Sequence, residues 1–308
     1  MTQFTPAVLG ELRAAGLDPA DVARVVGAAL DEDLRFGPDV TTLSTVRPES
    51  CATADVVARE RGVLAGVPVV LAVLDLAAPG TFTIEIHRGD GDRLEPGDCA
   101  LSVTGPTVLL LRVERTMLNL LTHLSGVATL TRAWVDAVSG TGVLIRDTRK
   151  TTPGLRLLEK YAVRCGGGTN HRFALGDGVL IKDNHVAAAG GVGEAVRAVL
   201  AGAPAMPVEV ECDTVLQVKE AIAAGARLVL LDNMSLDELR ESVALRGRDM
   251  VRFEASGGLT LERAREVAAA GVDYLAVGAL THSAPVLDLG LDLRTVGQCA
   301  VVPDVNAR

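Results

Sequence analysis

The residues best suited to bind or transform a charged substrate lie in one basic stretch of an otherwise acidic chain. From Arg146 to Lys182, eight basic residues face three acidic ones, so the stretch carries +5, whereas the chain of 308 residues carries −9. Clustered positive charge is unfavourable unless an anion binds among it. This distribution predicts a site for a small substrate with several negative charges. The basic residues are Arg146, Arg149, Lys150, Arg156, Lys160, Arg164, Arg172 and Lys182.

The composition argues against several other classes of protein. A pI near 5.1 is atypical of a nucleic-acid-binding surface, so we expect no nucleic-acid partner. The N-terminus lacks the pattern of a signal peptide, and the apolar segment from Val63 to Leu74 is too short to span a bilayer and contains Pro68. Five cysteines without a CxxC pair predict reduced thiols. Together these features predict a soluble, cytoplasmic protein with no membrane partner.

The strands that would position the basic residues occupy the second half of the chain. Short apolar strands alternate there with alanine-rich helices, which predicts an α/β fold with a parallel sheet. Six or more such units predict a (β/α) barrel that is open or incomplete. An irregular insertion from Thr148 to Gly178 lacks a clear strand-helix pair. Strands are predicted at 143–146, 179–182, 208–211, 228–231, 251–254 and 274–277, and helices at 192–200, 214–224, 235–245 and 261–270.

The first third of the chain predicts a smaller α+β region. Amphipathic periodicity indicates helices there, and alternation of apolar with polar residues indicates half-buried strands. Helices are predicted at 7–15, 19–30 and about 108–138, strands at 81–87 and 101–104, and a loop at Asp39-Val40-Thr41-Thr42.

Each predicted strand of the second half ends in polar or small residues. In a parallel barrel these carboxyl ends converge on the face that carries catalysis. Six such endings in succession favour a functional site over a coincidence of composition. The endings are Arg146-Asp147-Thr148-Arg149-Lys150, Lys182-Asp183-Asn184-His185, Glu211-Cys212-Asp213, Asp232-Asn233, Glu254-Ala255-Ser256-Gly257-Gly258 and Gly278-Ala279.

Several of these residues allow both a structural and a functional interpretation. Lys182 could point into the barrel mouth or form an internal salt bridge, for which Glu211 or Asp232 could supply the carboxylate. Alternatively, the two carboxylates could bind sugar hydroxyls and Mg²⁺ shared with substrate phosphates. The remaining candidates are predicted anion ligands: Ser256-Gly257-Gly258 and Gly278 for phosphate, His171-Arg172 after a glycine-rich loop, and Arg115, which could equally lie on a solvated helix face.

Taken in order, these motifs resemble the quinolinate phosphoribosyltransferase family over nearly the whole chain after about Ala20. The matching motifs are Asp39-Val40-Thr41-Thr42, Glu114-Arg115-Thr116, Asn119-Leu120-Leu121, Ser125-Gly126, 146–151, 153–156, 160–163, Gly166-Gly167-Gly168, Asn170-His171-Arg172, 181–185, Glu209-Val210-Glu211, Leu231-Asp232-Asn233, 254–258 and 276–281.

The resemblance implies an enzyme that transfers phosphoribose from phosphoribosyl pyrophosphate to quinolinate, with Mg²⁺, giving nicotinate mononucleotide, pyrophosphate and CO₂ in NAD biosynthesis. It implies an N-terminal α/β sandwich domain (1–125) and an open, TIM-like β/α barrel (126–286), with the end of the chain (287–308) returning to the first domain. It also implies a homodimer or higher homo-oligomer in which Arg115 reaches the site of the neighbouring subunit.

The same resemblance assigns roles to individual residues. Arg115, Arg149, His171 and Arg172 are expected to hold the quinolinate carboxylates, and Lys150 and Lys182 to face carboxylate and pyrophosphate. Glu211 and Asp232 are expected to contact ribose hydroxyls and Mg²⁺, which makes Lys150, Lys182, Glu211 and Asp232 the predicted catalytic set. Ser256, Gly257, Gly258 and Gly278 are expected to hold the 5′-phosphate, and Thr148, Val277 and Ala279 complete the substrate-binding residues.

Two other functions are compatible with parts of the sequence. A phosphate-binding barrel could act as a Schiff-base aldolase with Lys182 as its nucleophile. A non-catalytic nucleotide sensor or carrier domain is the third possibility, since the turn-rich segment 89–98 faintly resembles biotinyl and lipoyl domains. The density of arginine and histidine around a dicarboxylate site argues against the aldolase. The segment 89–98 lacks an exposed lysine at a hairpin tip, and a carrier domain would leave the barrel unexplained.

Overall fold

The computed structural model of this chain describes residues 4–247 and 251–298. In chain order its elements are α1 (Pro6–Ala14), α2 (Pro19–Leu34), α3 (Val40–Thr45), β1 (Ser50–Ala58), β2 (Gly62–Val63), α4 (Val67–Ala77), β3 (Thr83–Ile86), β4 (Arg93–Leu94), β5 (Cys99–Pro106) and α5 (Thr107–Ala137). They continue with β6 (Leu144–Arg146), α6 (Arg156–Cys165), β7 (Val179–Ile181), α7 (Asp183–Ala189), α8 (Val192–Gly202), β8 (Val208–Cys212), α9 (Val215–Ala223), β9 (Leu228–Asp232), α10 (Leu236–Ala244), β10 (Arg252–Ser256), a 3-10 turn (Leu261–Arg263), α11 (Ala264–Ala268), β11 (Tyr274–Ala276), α12 (Ala279–His282) and β12 (Leu289–Gln298).

The described residues form two compact units. The domain boundaries predicted from the sequence stay predictions, and these units differ from them by grouping 152–167 with the first unit. No helix in the described part of the chain is long and apolar enough to cross a membrane. The first unit contains 4–130, 152–167 and 283–298, and the second contains 131–151, 168–247 and 251–282.

The first unit is built on a four-stranded antiparallel sheet in the order β12-β1-β5-β3. Alternate residues of β1, among them Ala54 and Val56, are fully buried, as expected for a strand that covers a core with one face. Strand β12 pairs with β1 along its whole length, so residues 289–298 form the edge of this sheet, and the predicted return of 287–308 to the first domain stays a prediction. The prediction of reduced thiols is wrong at Cys51 of β1, which is disulfide-bonded, because the spacing of cysteines along a sequence does not determine which of them a fold pairs.

One local prediction in the first unit is wrong, and one helix there was not predicted. The segment from Asp39 to Thr42 is predicted as a loop, but Asp39 caps α3 by accepting a hydrogen bond from the Thr42 backbone N–H at 3.0 Å. The insertion between Thr148 and Gly178, which the structure describes throughout, contains no named strand, as expected from the sequence, but it does contain the helix α6, which was not predicted. Lys160 of α6 is fully buried, so the basic residues of this stretch do not all belong to one binding site.

The second unit confirms the predicted open barrel of parallel strands. Six strands pair in the order β6-β11-β10-β9-β8-β7, and every pairing is parallel. The central positions Val210, Val229 and Phe253 are fully buried, as is usual where helices cover a parallel sheet. Ser235 begins α10 with a capping box and Thr214 begins α9 in the same way, which fixes where each strand-to-helix loop ends.

Candidate active site

The carboxyl ends of the six parallel strands surround a cavity of about 350 Å³ in the second unit. Parallel strands deliver their last residues to the same end, so residues far apart in the chain meet there. The structure thus brings together nine of the residues predicted to bind substrate, whereas their individual roles stay predictions. These nine are Thr148, Arg149, Lys150, His171, Arg172, Lys182, Glu211, Asp232 and Ser256.

Lys182 and Glu211 form a salt bridge at this cavity. Lys182 follows β7 directly and Glu211 lies on the neighbouring strand β8, so the Lys182 Nζ atom comes within 2.5 Å of the Glu211 Oε2 atom. The side chain of Lys182 is 47% exposed and that of Glu211 is 12% exposed. The internal salt bridge that the sequence allows for Lys182 is therefore present, but the ammonium group stays accessible from the cavity. A polyanionic ligand can compete with Glu211 for it.

Asp232 ends β9 beside Ser256, the last residue of β10, with which it is in register. One carboxylate oxygen of Asp232 accepts a hydrogen bond from the side-chain amide of Asn233 at 2.7 Å. Asp232 and Glu211 thus place two carboxylates on adjacent strands at the edge of one cavity. Mg²⁺ is commonly held by one or two carboxylates together with substrate phosphates. This donor set fits a Mg²⁺ ion shared with a phosphorylated substrate.

Arg149 and Arg172 are the two arginines among the four cationic side chains that line the cavity. Partial burial, followed by the positive charge of Arg149, lowers the pKa of Arg172. Arg172 donates one hydrogen bond to the Gly178 carbonyl at 3.0 Å, while the Nε atoms of both arginines are buried without a hydrogen-bond partner. Two neighbouring guanidinium groups that repel each other and retain unused donors are suited to a carboxylate or phosphate ligand.

A buried charged cluster next to His171 was not predicted as part of the site. Arg146 Nη1 lies 2.5 Å from Glu254 Oε2, and His171 Nε2 lies 2.9 Å from Glu209 Oε2. Burial, followed by the negative charge of Glu209, raises the pKa of Glu254 to about 7. Glu254 also lines the cavity. The sequence carries only a partial signal, since Glu209 lies between two valines of β8 and Glu254 between Phe253 and Ala255 of β10.

The hydrogen bonds of His171 define its tautomer. The Arg172 backbone N–H donates to His171 Nδ1 at 2.7 Å, so Nε2 carries the ring proton and donates to Glu209. His171, Glu209 and Glu254 also offer ligand atoms within 4.8 Å of one another. Both ring nitrogens are engaged by protein groups. In this geometry, Arg149, Arg172 and Lys182 are the groups better placed to bind substrate carboxylates.

The loop that carries Lys150 packs against the turn after β11. The Lys150 backbone N–H donates to Thr148 Oγ1 at 3.0 Å, and its carbonyl accepts from Thr281 Oγ1 at 2.8 Å. A Cβ atom at Gly278 would lie 3.1 Å from Lys150 Cδ, so glycine allows this close approach.

Five predicted residues near the cavity are not among those that line it. They are Gly257, Gly258, Val277, Gly278 and Ala279.

Comparison with known proteins agrees with this geometry. The chain matches the family models for the N-terminal and C-terminal domains of quinolinate phosphoribosyl transferase over residues 39–125 and 127–292. The carboxylating nicotinate-nucleotide pyrophosphorylase of Mycobacterium leprae (strain TN) is 53% identical over 279 residues, which cover 89% of this chain and 98% of that protein. This chain belongs to the quinolinate phosphoribosyltransferase family. Solved structures support the same relationship: NadC from Streptococcus pyogenes has a TM-score of 0.86 at 40% identity, covering 91% of this chain and 99% of that one.

A second structure, the nicotinate-nucleotide pyrophosphorylase from Francisella tularensis, has a TM-score of 0.86 at 34% identity and covers 90% of this chain and 98% of that one. The family and fold expected from the motifs are therefore confirmed. In this quinolinate phosphoribosyltransferase, Arg115 is exposed on α5 and belongs to the first unit. Its predicted role in the site of a neighbouring subunit stays a prediction.

Proposed function

We propose that this chain transfers phosphoribose from phosphoribosyl pyrophosphate to quinolinate and releases pyrophosphate and CO₂, giving nicotinate mononucleotide for NAD biosynthesis. One observation carries the proposal: four cationic side chains line a single cavity in a chain of net charge −9. Quinolinate is a dicarboxylate, and phosphoribosyl pyrophosphate carries a phosphate and a pyrophosphate. A concentrated positive field would bind both and reduce their mutual repulsion. The cations are Arg149, Lys150, Arg172 and Lys182.

The guanidinium groups of Arg149 and Arg172 would hold the carboxylates of quinolinate. Their planar donor pairs match the two oxygens of a carboxylate. The ammonium groups of Lys150 and Lys182 would face carboxylate and pyrophosphate oxygens, which need less directional donors. This division orients the pyridine nitrogen toward the sugar, because the carboxylates fix the plane of the ring.

Glu211 and Asp232 would contact the ribose hydroxyls and hold Mg²⁺ together with the pyrophosphate. When bound, Mg²⁺ would neutralise charge on the leaving pyrophosphate. The two carboxylates would also stabilise positive charge that develops on the ribose ring as its bond to pyrophosphate breaks. Ser256, Gly257, Gly258 and Gly278, with Val277 and Ala279 beside them, would hold the 5′-phosphate on backbone N–H groups.

The bonding changes are balanced without a redox cofactor. The pyridine nitrogen bonds to the anomeric carbon while the bond from that carbon to pyrophosphate breaks. The nitrogen becomes positively charged, and this charge stabilises the electron pair left on the ring when the 2-carboxylate departs as CO₂. A proton from solvent then completes nicotinate mononucleotide. The cavity cations hold the dicarboxylate in the orientation that the first of these steps requires.

We also propose that the active form is a homodimer or larger homo-oligomer, in which Arg115 completes the neighbouring subunit's site. Its exposure on α5 leaves the side chain accessible to a second chain. Because both substrates are soluble polyanions, we place this reaction in the cytoplasm.

The decisive experiment measures CO₂ released from the 2-carboxylate of quinolinate in the presence of phosphoribosyl pyrophosphate and Mg²⁺. We expect CO₂, pyrophosphate and nicotinate mononucleotide in equal amounts, and no CO₂ when either substrate is omitted. Borohydride treatment tests the aldolase alternative in the same samples. A reduced substrate adduct on Lys182, without product formation, would replace the proposed function with Schiff-base chemistry.

A further inference from the structure

Asn233 has an unusual backbone conformation at the edge of the cavity. With a φ of 53°, it is the single residue other than glycine with positive φ in the described ranges 4–247 and 251–298. Asparagine tolerates this left-handed conformation better than most residues, but glycine adopts it at no cost. The backbone geometry alone therefore does not explain why the position carries a side chain. Asn233 is exposed, so burial does not explain it either.

The side chain of Asn233 contacts two parts of the candidate site. Its Nδ2 atom donates a hydrogen bond to Asp232 Oδ2 at 2.7 Å. The left-handed backbone turns the side-chain amide toward the preceding residue, which allows this bond between chain neighbours. Its Oδ1 atom lies against the backbone of Gly257, where an added Cβ atom would come within 2.2 Å. The Asn233 backbone N–H also donates to the Ser256 carbonyl at 2.9 Å. One residue thus links the end of β9 to the loop after β10.

We propose that Asn233 is a positioning residue for phosphoribosyl pyrophosphate: it orients the Asp232 carboxylate toward the ribose and sets the distance to the Gly257 loop. The inference rests on the proposed function, since it assigns ribose and phosphate to these two places. Asn233 acts through Asp232 and Gly257 rather than on the reacting atoms. The quinolinate pocket, formed around Arg149 and Arg172, does not depend on it.

The test distinguishes the effect of the backbone conformation of Asn233 from the effect of its side-chain amide. Asn233→Gly keeps the left-handed conformation and removes the amide, so we expect kcat/KM for phosphoribosyl pyrophosphate to fall about tenfold, the effect of losing one hydrogen bond to a charged group. Asn233→Asp keeps the size and the turn but sets a second carboxylate against Asp232, and we expect a larger loss. In both variants the dissociation constant for quinolinate, measured by calorimetry without the second substrate, should stay within twofold of the wild-type value.

Ser235→Ala provides the matched control from the same loop. It removes the N-cap of α10 and should lower the melting temperature without changing either substrate's KM. Asn233→Gly with wild-type kcat/KM for phosphoribosyl pyrophosphate would overturn the proposal, and so would an equal loss of quinolinate affinity, which would indicate general disruption. Wild-type protein that releases no CO₂ from quinolinate would instead disprove the proposed function, so the two failures are distinguishable.

Discussion

At the scale of single residues, the candidate site contains cations whose charges are only partly matched within the protein. Lys182 pairs with Glu211 yet stays half exposed, and the Nε atoms of Arg149 and Arg172 have no hydrogen-bond partner. Most buried polar groups in proteins are hydrogen-bonded, so unsatisfied donors at a cavity indicate a ligand. His171 differs from these cations, because both of its ring nitrogens are engaged by protein groups.

The first prediction concerns Lys182. We expect Lys182→Ala to lower kcat/KM with quinolinate and phosphoribosyl pyrophosphate about 100-fold, because it removes a charge placed to stabilise the reacting anions. The melting temperature should change little, since exposed salt bridges contribute about 0–1 kcal/mol. Lys219→Ala is the control, because Lys219 is an exposed lysine of the same unit with its own carboxylate partner, Glu241. Near-wild-type kcat/KM in Lys182→Ala would refute the assignment.

The second prediction concerns the acceptor for His171. Glu209→Leu leaves the ring proton of His171 buried without its acceptor, since Glu254 is 3.7 Å away and beyond hydrogen-bond distance. We expect about 1–3 kcal/mol lower stability and a raised KM for quinolinate, because the cavity wall loses its fixed position. Glu209→Gln keeps an acceptor oxygen and should retain most of both properties. Equal behaviour of the two variants in urea unfolding and steady-state kinetics would contradict this role.

At the scale of elements, the sequence predicted the strands of the second unit well because each is a short apolar run between polar ends. The residues at the strand ends then predicted which side chains meet, since parallel strands bring their carboxyl ends to the same end of the sheet. The α3 helix was missed because six residues carry too little periodicity to distinguish a short helix from a loop. Helix α6 was missed because its buried face includes Glu159 and Lys160, so apolar spacing did not reveal it.

A third prediction concerns the contact between α5 and the returning end of the chain. An added Cβ atom at Gly126 would lie 2.0 Å from the Pro285 carbonyl oxygen, so the two backbones approach as closely as glycine allows. We expect Gly126→Ala to lower the free energy of unfolding by about 1–3 kcal/mol through overpacking. Gly27→Ala in α2 meets no atom within 4 Å and should instead stabilise by about 0.5–1 kcal/mol. Chemical denaturation compares them directly, and a neutral Gly126→Ala would show that the contact is adaptable.

At the scale of the whole molecule, the basic stretch that first indicated a site divides between the two units. Arg149, Lys150, Arg172 and Lys182 line the cavity, whereas α6 carries its basic residues in the first unit. The distribution of charge along the sequence therefore predicted that a polyanion binds, but it could not predict which of the cations would contact it. The buried carboxylates Glu209 and Glu254 were missed for a related reason, because their environment depends on residues distant in the chain.

The buried carboxyl group of Glu254 also affects the stability of the molecule as a function of pH. The pKa of Glu254 is raised from 4.5 to about 7, chiefly by burial and then by Glu209, so between these values the folded protein binds more protons than the unfolded chain. Stability contributed by this group must therefore decrease as pH rises from about 4.5 to 7. Glu254→Gln cannot ionise but keeps an acceptor for Arg146, so we expect it to flatten that decrease.

The control is a carboxylate with the opposite shift. Hydrogen bonds from Ser235 lower the pKa of Glu238, so its stabilising contribution is complete above pH 4.5 and is lost only as the pH falls further. Glu238→Gln should therefore leave the slope between pH 4.5 and 7 unchanged. Urea unfolding of the wild type and both variants across this range gives the three slopes. If Glu254→Gln kept the wild-type slope, another group would have to release the proton, and a pKa of about 7 for Glu254 would be disproved.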